Sequence, residues 1–213
     1  MSRVAAIDCG TNSIRLLIAD IAGDNFKEVL RTMEIVRLGQ GVDQNKAFHP
    51  DAIDRTLKAV ELFRDQIASK GVEKIRFCAT SATRDATNRS LFTDGVRDIL
   101  GIEVEVIPGE EEAELSFIGA TKELRQSDAP FLVVDIGGGS TEVALGQGPN
   151  IERVESFSIG TVRICSSFFG SDRISQESFD AAVLSARGQF EDGMAGFHPD
   201  YWQVAYGSSG TMR

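Results

Sequence analysis

Two short loops in this chain combine an acid with glycines and small hydrogen-bonding side chains: Asp8-Cys9-Gly10-Thr11-Asn12-Ser13 and Asp135-Ile136-Gly137-Gly138-Gly139-Ser140-Thr141. Glycine lets a backbone approach a ligand closely, and successive N–H groups can form a nest for an anion. Around Gly10 and around Gly137, Gly138 and Gly139, the side chains of Thr11, Asn12, Ser13 and Ser140 add donors. An aspartate can hold a divalent cation against phosphate oxygens. Three consecutive glycines are conformationally costly unless their backbone has a task. One such loop is weak evidence. Two in the same local setting point to duplicated halves facing each other across a phosphate-binding cleft.

Other residues have a plain reading beside a chemical one. Glu110, Glu111, Glu112 and Glu114 open a helix, where acids complement the dipole whatever else they do. Arg84 closes a stretch of small residues. It either pairs with Asp85 or presents a guanidinium fork to phosphate oxygens. Arg37-Leu38-Gly39-Gln40-Gly41 is a glycine turn or a part of the site. Arg89 reads as a solvated arginine. His49 and His198, each before a proline, read as structural or exposed.

These residues need a frame. Apolar runs at Val4–Ile7 and Ile14–Ile18 flank the first loop as a hairpin, and Phe26–Ile35 continues as a third strand behind the Gly23-Asp24-Asn25 turn. Pro50-Asp51 opens a helix with Ile53, Leu57, Val60, Phe63 and Ile67 on one face, stopped by Gly71. Strands at Ile75–Ala79 and Val104–Ile107 enclose a helix over Ser90–Leu100, giving βββαβαβ with a mixed sheet. After Pro108-Gly109 a helix carries Phe117, Ile118 and Thr121 on its buried side, and 126–130 is the expected linker. The second half restarts with Phe131–Val134, the glycine loop, Val143–Leu145, a turn, and a strand over Ile151–Phe157. Helical patterns follow to Phe190, then a strand at Val204–Tyr206 and a small-residue loop at Gly207–Thr211. The βββα opening thus occurs twice, as in an internal duplication. The second half has fewer residues than the first, so its domain reads as truncated. The expected domains are 1–124 and 125–213.

At 213 residues and 42% hydrophobic content, the chain can bury real cores. A net charge of −10 with no basic stripe argues against nucleic-acid binding, although a local pocket can still take a small polyanion. Cys9, Cys78 and Cys165 are too dispersed for a zinc site or a disulfide framework, and Cys78 reads as a buried small hydrophobe. The chain has no long apolar segment and no charged-then-apolar leader, which predicts a cytoplasmic protein away from membranes.

Four phrases occur in order: the first loop, Ala79-Thr80-Ser81-Ala82-Thr83-Arg84-Asp85-Ala86, Pro108-Gly109-Glu110-Glu111-Glu112-Ala113-Glu114-Leu115, and Asp135-Ile136-Gly137-Gly138-Gly139-Ser140-Thr141-Glu142. Together, and over nearly the whole chain, they resemble the exopolyphosphatase/guanosine pentaphosphate phosphohydrolase (Ppx/GppA) family of the actin/hexokinase-like superfold. The resemblance implies an α/β fold of duplicated actin-like (ribonuclease H-like) domains. It implies Glu112 as the general base that deprotonates an attacking water, with Glu111 the close competitor, and Arg84 as a contact to the phosphate chain. Asp135 and Glu142 are similar to carboxylates associated with Mg2+, for which Mn2+ can substitute. Asn12 and Ser13 resemble phosphate contacts, and Asp8 either holds a metal-bound water or braces its turn.

The expected reaction is removal of terminal orthophosphate from inorganic polyphosphate, with guanosine pentaphosphate 5′-phosphohydrolysis as the alternative. A homodimer is an open expectation. More distant readings are a sugar or acid kinase of the same superfold, which needs an adenosine-binding loop, and a polyphosphate or nucleotide sensor, which needs no base.

Overall fold

The computed structural model describes residues 1–23, 25–122, 129–170, 173–191 and 193–209. Alternation of side chains sets the first sheet. In β1 (Ser2–Cys9), Ala5, Ile7 and Cys9 point inward, and in β2 (Ser13–Ala22), Ile14, Leu16 and Ile18 do the same. β1 and β2 pair antiparallel from Ser2↔Ile21 to Cys9↔Ile14, and β3 (Asn25–Ile35) extends the sheet antiparallel to β2. A one-turn helix α1 (Val42–Asn45) precedes α2 (Pro50–Lys70). His49 caps α2 by accepting from the Asp51 amide, Pro50 fills its first turn, and Gly71 ends it at a left-handed φ of 65°. This helix is the crossover that lets β4 (Lys74–Ala79) lie parallel to β1. Then come α3 (Ser81–Asp85), α4 (Ser90–Leu100) and the short strand β5 (Glu105–Val106), giving the order β3-β2-β1-β4-β5. Phe63, Phe77 and Phe92 are fully buried with Ile7, Ile14 and Leu16 in one core.

The second sheet repeats this plan. β6 (Phe131–Ile136), β7 (Thr141–Gln147) and β8 (Asn150–Phe157) form an antiparallel meander, and β9 (Val204–Ser208) lies parallel to β6, in the order β8-β7-β6-β9. Both faces are covered. On one, α5 (Gly109–Thr121) packs through Phe117, whose ring stacks on Phe131 at 5.1 Å, with Val133 and Ala144 completing the layer. On the other, Leu132, Val143, Leu145 and Phe157 meet Phe190 and Met194, below α6 (Thr161–Phe168) and α7 (Gln176–Glu191). Two-sided burial explains why β6 and β7 read as continuous apolar runs.

The chain divides into units Met1–Ile107 and Pro108–Arg213. This differs from the boundary expected at 124/125. The apolar residues of α5 find their partners in β6, β7 and β8, so the helix belongs to the second unit. Ile118 is 45% exposed rather than buried, while Ala113, Phe117 and Thr121 are buried. Cys9, not Cys78, is the fully buried thiol, and Cys78 is half-buried. Residues 126–128 of the expected linker, Asp24 of the first turn, and Gly210 and Thr211 lie outside the described residues.

Candidate active site

Both loops sit at hairpin tips with matching internal geometry. The Gly10 amide donates to the Ser13 carbonyl at 3.0 Å, and the Gly137 amide to the Ser140 carbonyl at 2.9 Å. In the first loop, the Asn12 carbonyl accepts from the amides of Val36 and Arg37, and the Thr11 carbonyl from that of Gly39. A Cβ at Gly39 would come within 2.2 Å of the Thr11 side chain, so the turn after β3 fits against the loop only with glycine there. The 37–41 segment is thus a buttress of the first loop, held by Arg55, whose Nε donates to the Val36 carbonyl at 3.1 Å and whose NH2 donates to the Gln40 side chain at 2.9 Å. With the loop carbonyls tied inward, the amides of Thr11 and Asn12, and those of Gly138 and Gly139 in the second loop, donate to no protein group among the described residues. Unpaired, glycine-rich N–H groups of this kind suit an anion.

Strand register builds the rest. Asp135 on β6 lies opposite Glu142 on β7, and Glu142 lies opposite Ser156 on β8. By alternation all three share the face of Phe131, Val133 and Ala144, which α5 covers. Glu112 and Ser116 are four residues apart on α5, hence on one side of it. The Ser116 hydroxyl donates to Asp135 Oδ2 at 2.8 Å. Ser156 donates to Glu142 Oε1 at 2.9 Å, and Ser140 also bonds the Glu142 carboxyl. Ser116 and Ser156 were not legible as site residues. The available signals were the four-residue step from Glu112 and the strand pairing.

Glu142 is 2% exposed, and its carboxyl is pushed up from 4.5 to about 7. Burial is the largest cause. The charges of Glu112 and Asp135 add to it, while the serine hydrogen bonds oppose it. Glu112, rather than Glu111, is therefore the first-turn glutamate whose charge bears on this carboxyl. A carboxyl whose folded pKa is raised keeps its proton while the unfolded chain loses it, so metal-free stability is expected to fall as pH rises from about 4.5 to about 7. The loss is on the order of 3 kcal/mol. Denaturant titrations in chelator should show this slope for the wild type and not for Glu142→Gln. Equal slopes would remove the buried-acid account.

At the corresponding place in the first unit the chemistry differs. Asp8 lies opposite Arg15, which lies opposite Met33, where the second unit has Asp135, Glu142 and Ser156. Asp8 and Arg15 form an exposed ion pair at 3.4 Å. Asp8 thus has a cation opposite it, whereas the second loop has a further carboxylate there.

No group of three or more His, Cys, Asp or Glu able to hold a metal occurs among the described residues. The donors near the second loop nevertheless suit a hard cation that takes one or two carboxylates and completes its shell with water and phosphate oxygens. They are all oxygens, and Glu112, Asp135 and Glu142 crowd negative charge there. Asp135 is half-buried and held by Ser116, whereas Glu142 is closed in by its serines.

Arg84 lies in the last turn of α3, half-buried, with NH1 donating to the Ile107 carbonyl at 2.9 Å. His49 and His198 are exposed helix caps whose Nδ1 atoms accept from Asp51 and Asp200 amides, in line with the structural reading.

The two sheets with their helices define an actin-like α/β protein. A family model described as the Ppx/GppA phosphatase family matches residues 17–213, and the chain belongs to that family. It is 44% identical over its whole length to Exopolyphosphatase 2 of Mycobacterium tuberculosis, of which it covers 69%. It is 34% identical to the guanosine-5′-triphosphate,3′-diphosphate pyrophosphatase of Photobacterium profundum, with 98% of this chain and 42% of that protein aligned. The crystal structure of an exopolyphosphatase-like protein superposes with a TM-score of 0.93 at 41% identity, covering 99% of this chain and 66% of that one. The chain thus spans about two thirds, or less, of the length of these relatives. No helix among the described residues is long and apolar enough to cross a membrane.

Proposed function

We propose that the protein hydrolyses the terminal phosphoanhydride of inorganic polyphosphate and releases orthophosphate. The observation that carries this reading is the placement of Glu112 and Ser116 on one side of α5, above the Asp135–Glu142 cross-strand pair and beside the second glycine loop. In-line phosphoryl transfer to water needs positioning, charge neutralisation and a base. Glu112 is the base, taking a proton from the attacking water. The amides of Gly138, Gly139 and Ser140 bind phosphate oxygens, the Ser140 hydroxyl being engaged by Glu142; within the first loop the amides of Thr11 and Asn12 and the Ser13 side chain suit a phosphate too, Gly10 allowing the close approach. Asp135, oriented by Ser116, holds Mg2+, with Glu142 supplying charge behind it. When bound, the ion neutralises charge on the phosphate oxygens. Relatives named for each substrate align over 100% and 98% of this chain and support the two readings equally, so the choice falls to the substrate comparison.

The test is phosphate release by the intact protein from long-chain polyphosphate, guanosine pentaphosphate, and ATP with sugars, side by side. Release from polyphosphate is expected to dominate. Dominant release from guanosine pentaphosphate would select the alternative, sugar phosphorylation would select a kinase, and binding without turnover a sensor. For Arg84, loss of a charge-assisted contact should raise KM for polyphosphate by about 10- to 100-fold in Arg84→Ala. Arg84→Lys should recover only part, because the planar fork is lost. A wild-type KM in both variants would leave Arg84 a structural residue that anchors the Ile107 carbonyl.

A further inference from the structure

The second glycine loop is held by a device with no side-chain counterpart in the first among the described residues. At the start of α6, the Thr161 amide donates to the Gly137 carbonyl at 3.0 Å, and the Val162 and Arg163 amides to the Gly138 carbonyl at 2.8 and 3.1 Å. The Thr161 hydroxyl reaches the Gly137 carbonyl at 3.3 Å, and Arg163 Nε donates to the Gly139 carbonyl at 2.8 Å. All three glycine carbonyls therefore accept from one helical turn. Gly160 makes the approach possible, since a Cβ there would lie 2.5 Å from Gly138 backbone atoms. In the first loop the corresponding donors are backbone amides of the turn after β3.

A peptide plane has its N–H and C=O on opposite edges, so fixing a carbonyl fixes which way the neighbouring amide points. Glycine permits the opposite orientation at little cost, and a run of three would otherwise sample both. We infer that Arg163 is a positioning residue for phosphate binding: the first turn of α6 locks the Gly137 and Gly138 carbonyls inward and Arg163 Nε locks that of Gly139, which together present the Gly138, Gly139 and Ser140 amides to a phosphate group, the Ser140 amide being the one Arg163 Nε orients. The side chain acts through the loop and not as a ligand of the phosphate. Gly139 is the pivotal unit, because among the three its carbonyl accepts from a side chain without a helix-backbone amide beside it among the described residues. This inference rests on the phosphohydrolase reading for the ligand, but its structural half can be tested without any ligand.

The experiment compares Arg163→Met and Arg163→Lys with the wild-type intact protein by amide NMR, using inorganic orthophosphate as the probe. In Arg163→Met, hydrogen exchange of the amide of buried Ser140, which shares its peptide plane with the Gly139 carbonyl, should accelerate without ligand. The orthophosphate concentration that half-shifts the Gly138, Gly139 and Ser140 amide signals should rise about tenfold, as for one lost charge-assisted hydrogen bond. KM for polyphosphate should rise in parallel while kcat stays within about twofold, because Glu112 and Asp135 are untouched. Arg163→Lys, with one donor still able to reach a carbonyl, should recover part of both changes. Unchanged exchange with weakened phosphate binding would mean direct charge contact and overturn the positioning role. Faster exchange with unchanged phosphate affinity would reduce Arg163 to a structural tie and overturn it equally. A wild-type protein that bound no orthophosphate would count against the phosphohydrolase reading, and the ligand-free exchange comparison would still decide whether Arg163 holds the loop.

Discussion

Replacing Glu112 with glutamine is expected to lower turnover of polyphosphate by roughly 10²- to 10⁴-fold, the usual worth of a positioned general base. Gln keeps the length and helical placement of the side chain but cannot accept the proton of the attacking water. Substrate affinity should persist or tighten, since a negative charge facing a polyanion is gone. A second readout is independent of turnover. The charge of Glu112 is one cause of the raised Glu142 carboxyl, so in Glu112→Gln the titration midpoint of Glu142 should drop below about 7, with burial keeping it above the ordinary 4.5. Glu111→Gln is the decisive control. Glu111 is one residue away on the same turn but is not among the charges that bear on Glu142, so it should leave both readouts nearly unchanged. Exposed Glu110 and Glu114 should cost only the helix-dipole contribution, about 0.3–1 kcal/mol of stability. An inactive Glu111→Gln beside an active Glu112→Gln would move the base by one residue. If neither variant lost more than about tenfold, water activation would not depend on α5 at all.

What could be read from the sequence is what local backbone demands dictate. Gly10 and Gly137–Gly139 announce hairpin tips because few other residues tolerate such turns, and the alternation in Val4–Ile7 and Ile14–Ile18 announces the strands beside them. The repeated three-stranded opening and its parallel fourth strand followed from the same signals. The domain boundary did not. Ala113 and Phe117 look like any apolar helix face, and only their contacts with Phe131 and Ala144 assign α5 to the second sheet. The same reason hid Ser116 and Ser156. A lone serine carries no local signature, and each acquires meaning from a partner across strand or helix pairing: Asp135 for one, Glu142 for the other.

One distinction between the loops is legible in the sequence. The residue seven after the loop aspartate is Arg15 in the first half and Glu142 in the second, each directly opposite that aspartate in the hairpin. A duplicated fold with a cation at one position and an acid at the other cannot use its two loops alike. The first sets Arg15 across from its aspartate. The second leaves Asp135 and Glu142 beside Glu112, a charge distribution that a divalent ion would relieve.

That arrangement sets the second large effect. Chelation should abolish phosphate release, with activity lost by more than about 10²-fold and restored by Mg2+ or Mn2+. Binding should also be visible without catalysis. An ion that binds only the folded protein stabilises it by about 2.7 kcal/mol at a hundred times its Kd, so Mg2+ should raise the denaturation midpoint of the wild type. Asp135→Asn keeps an oxygen to accept the Ser116 hydroxyl but removes the charge, and it should lose most of that stabilisation together with activity. Proton coupling gives a further signature. Because Glu142 still holds its proton near and below pH 7, ion binding must compete with that proton, so Mg2+ affinity should weaken as pH falls from about 8 to about 6 and binding should release protons. Glu142→Gln should flatten this dependence while leaving the Asp135 contribution in place. Full activity in a metal-free preparation would sink the assignment of both carboxylates. Metal-dependent activity with wild-type Mg2+ stabilisation in Asp135→Asn would keep the ion and move its site away from the second loop.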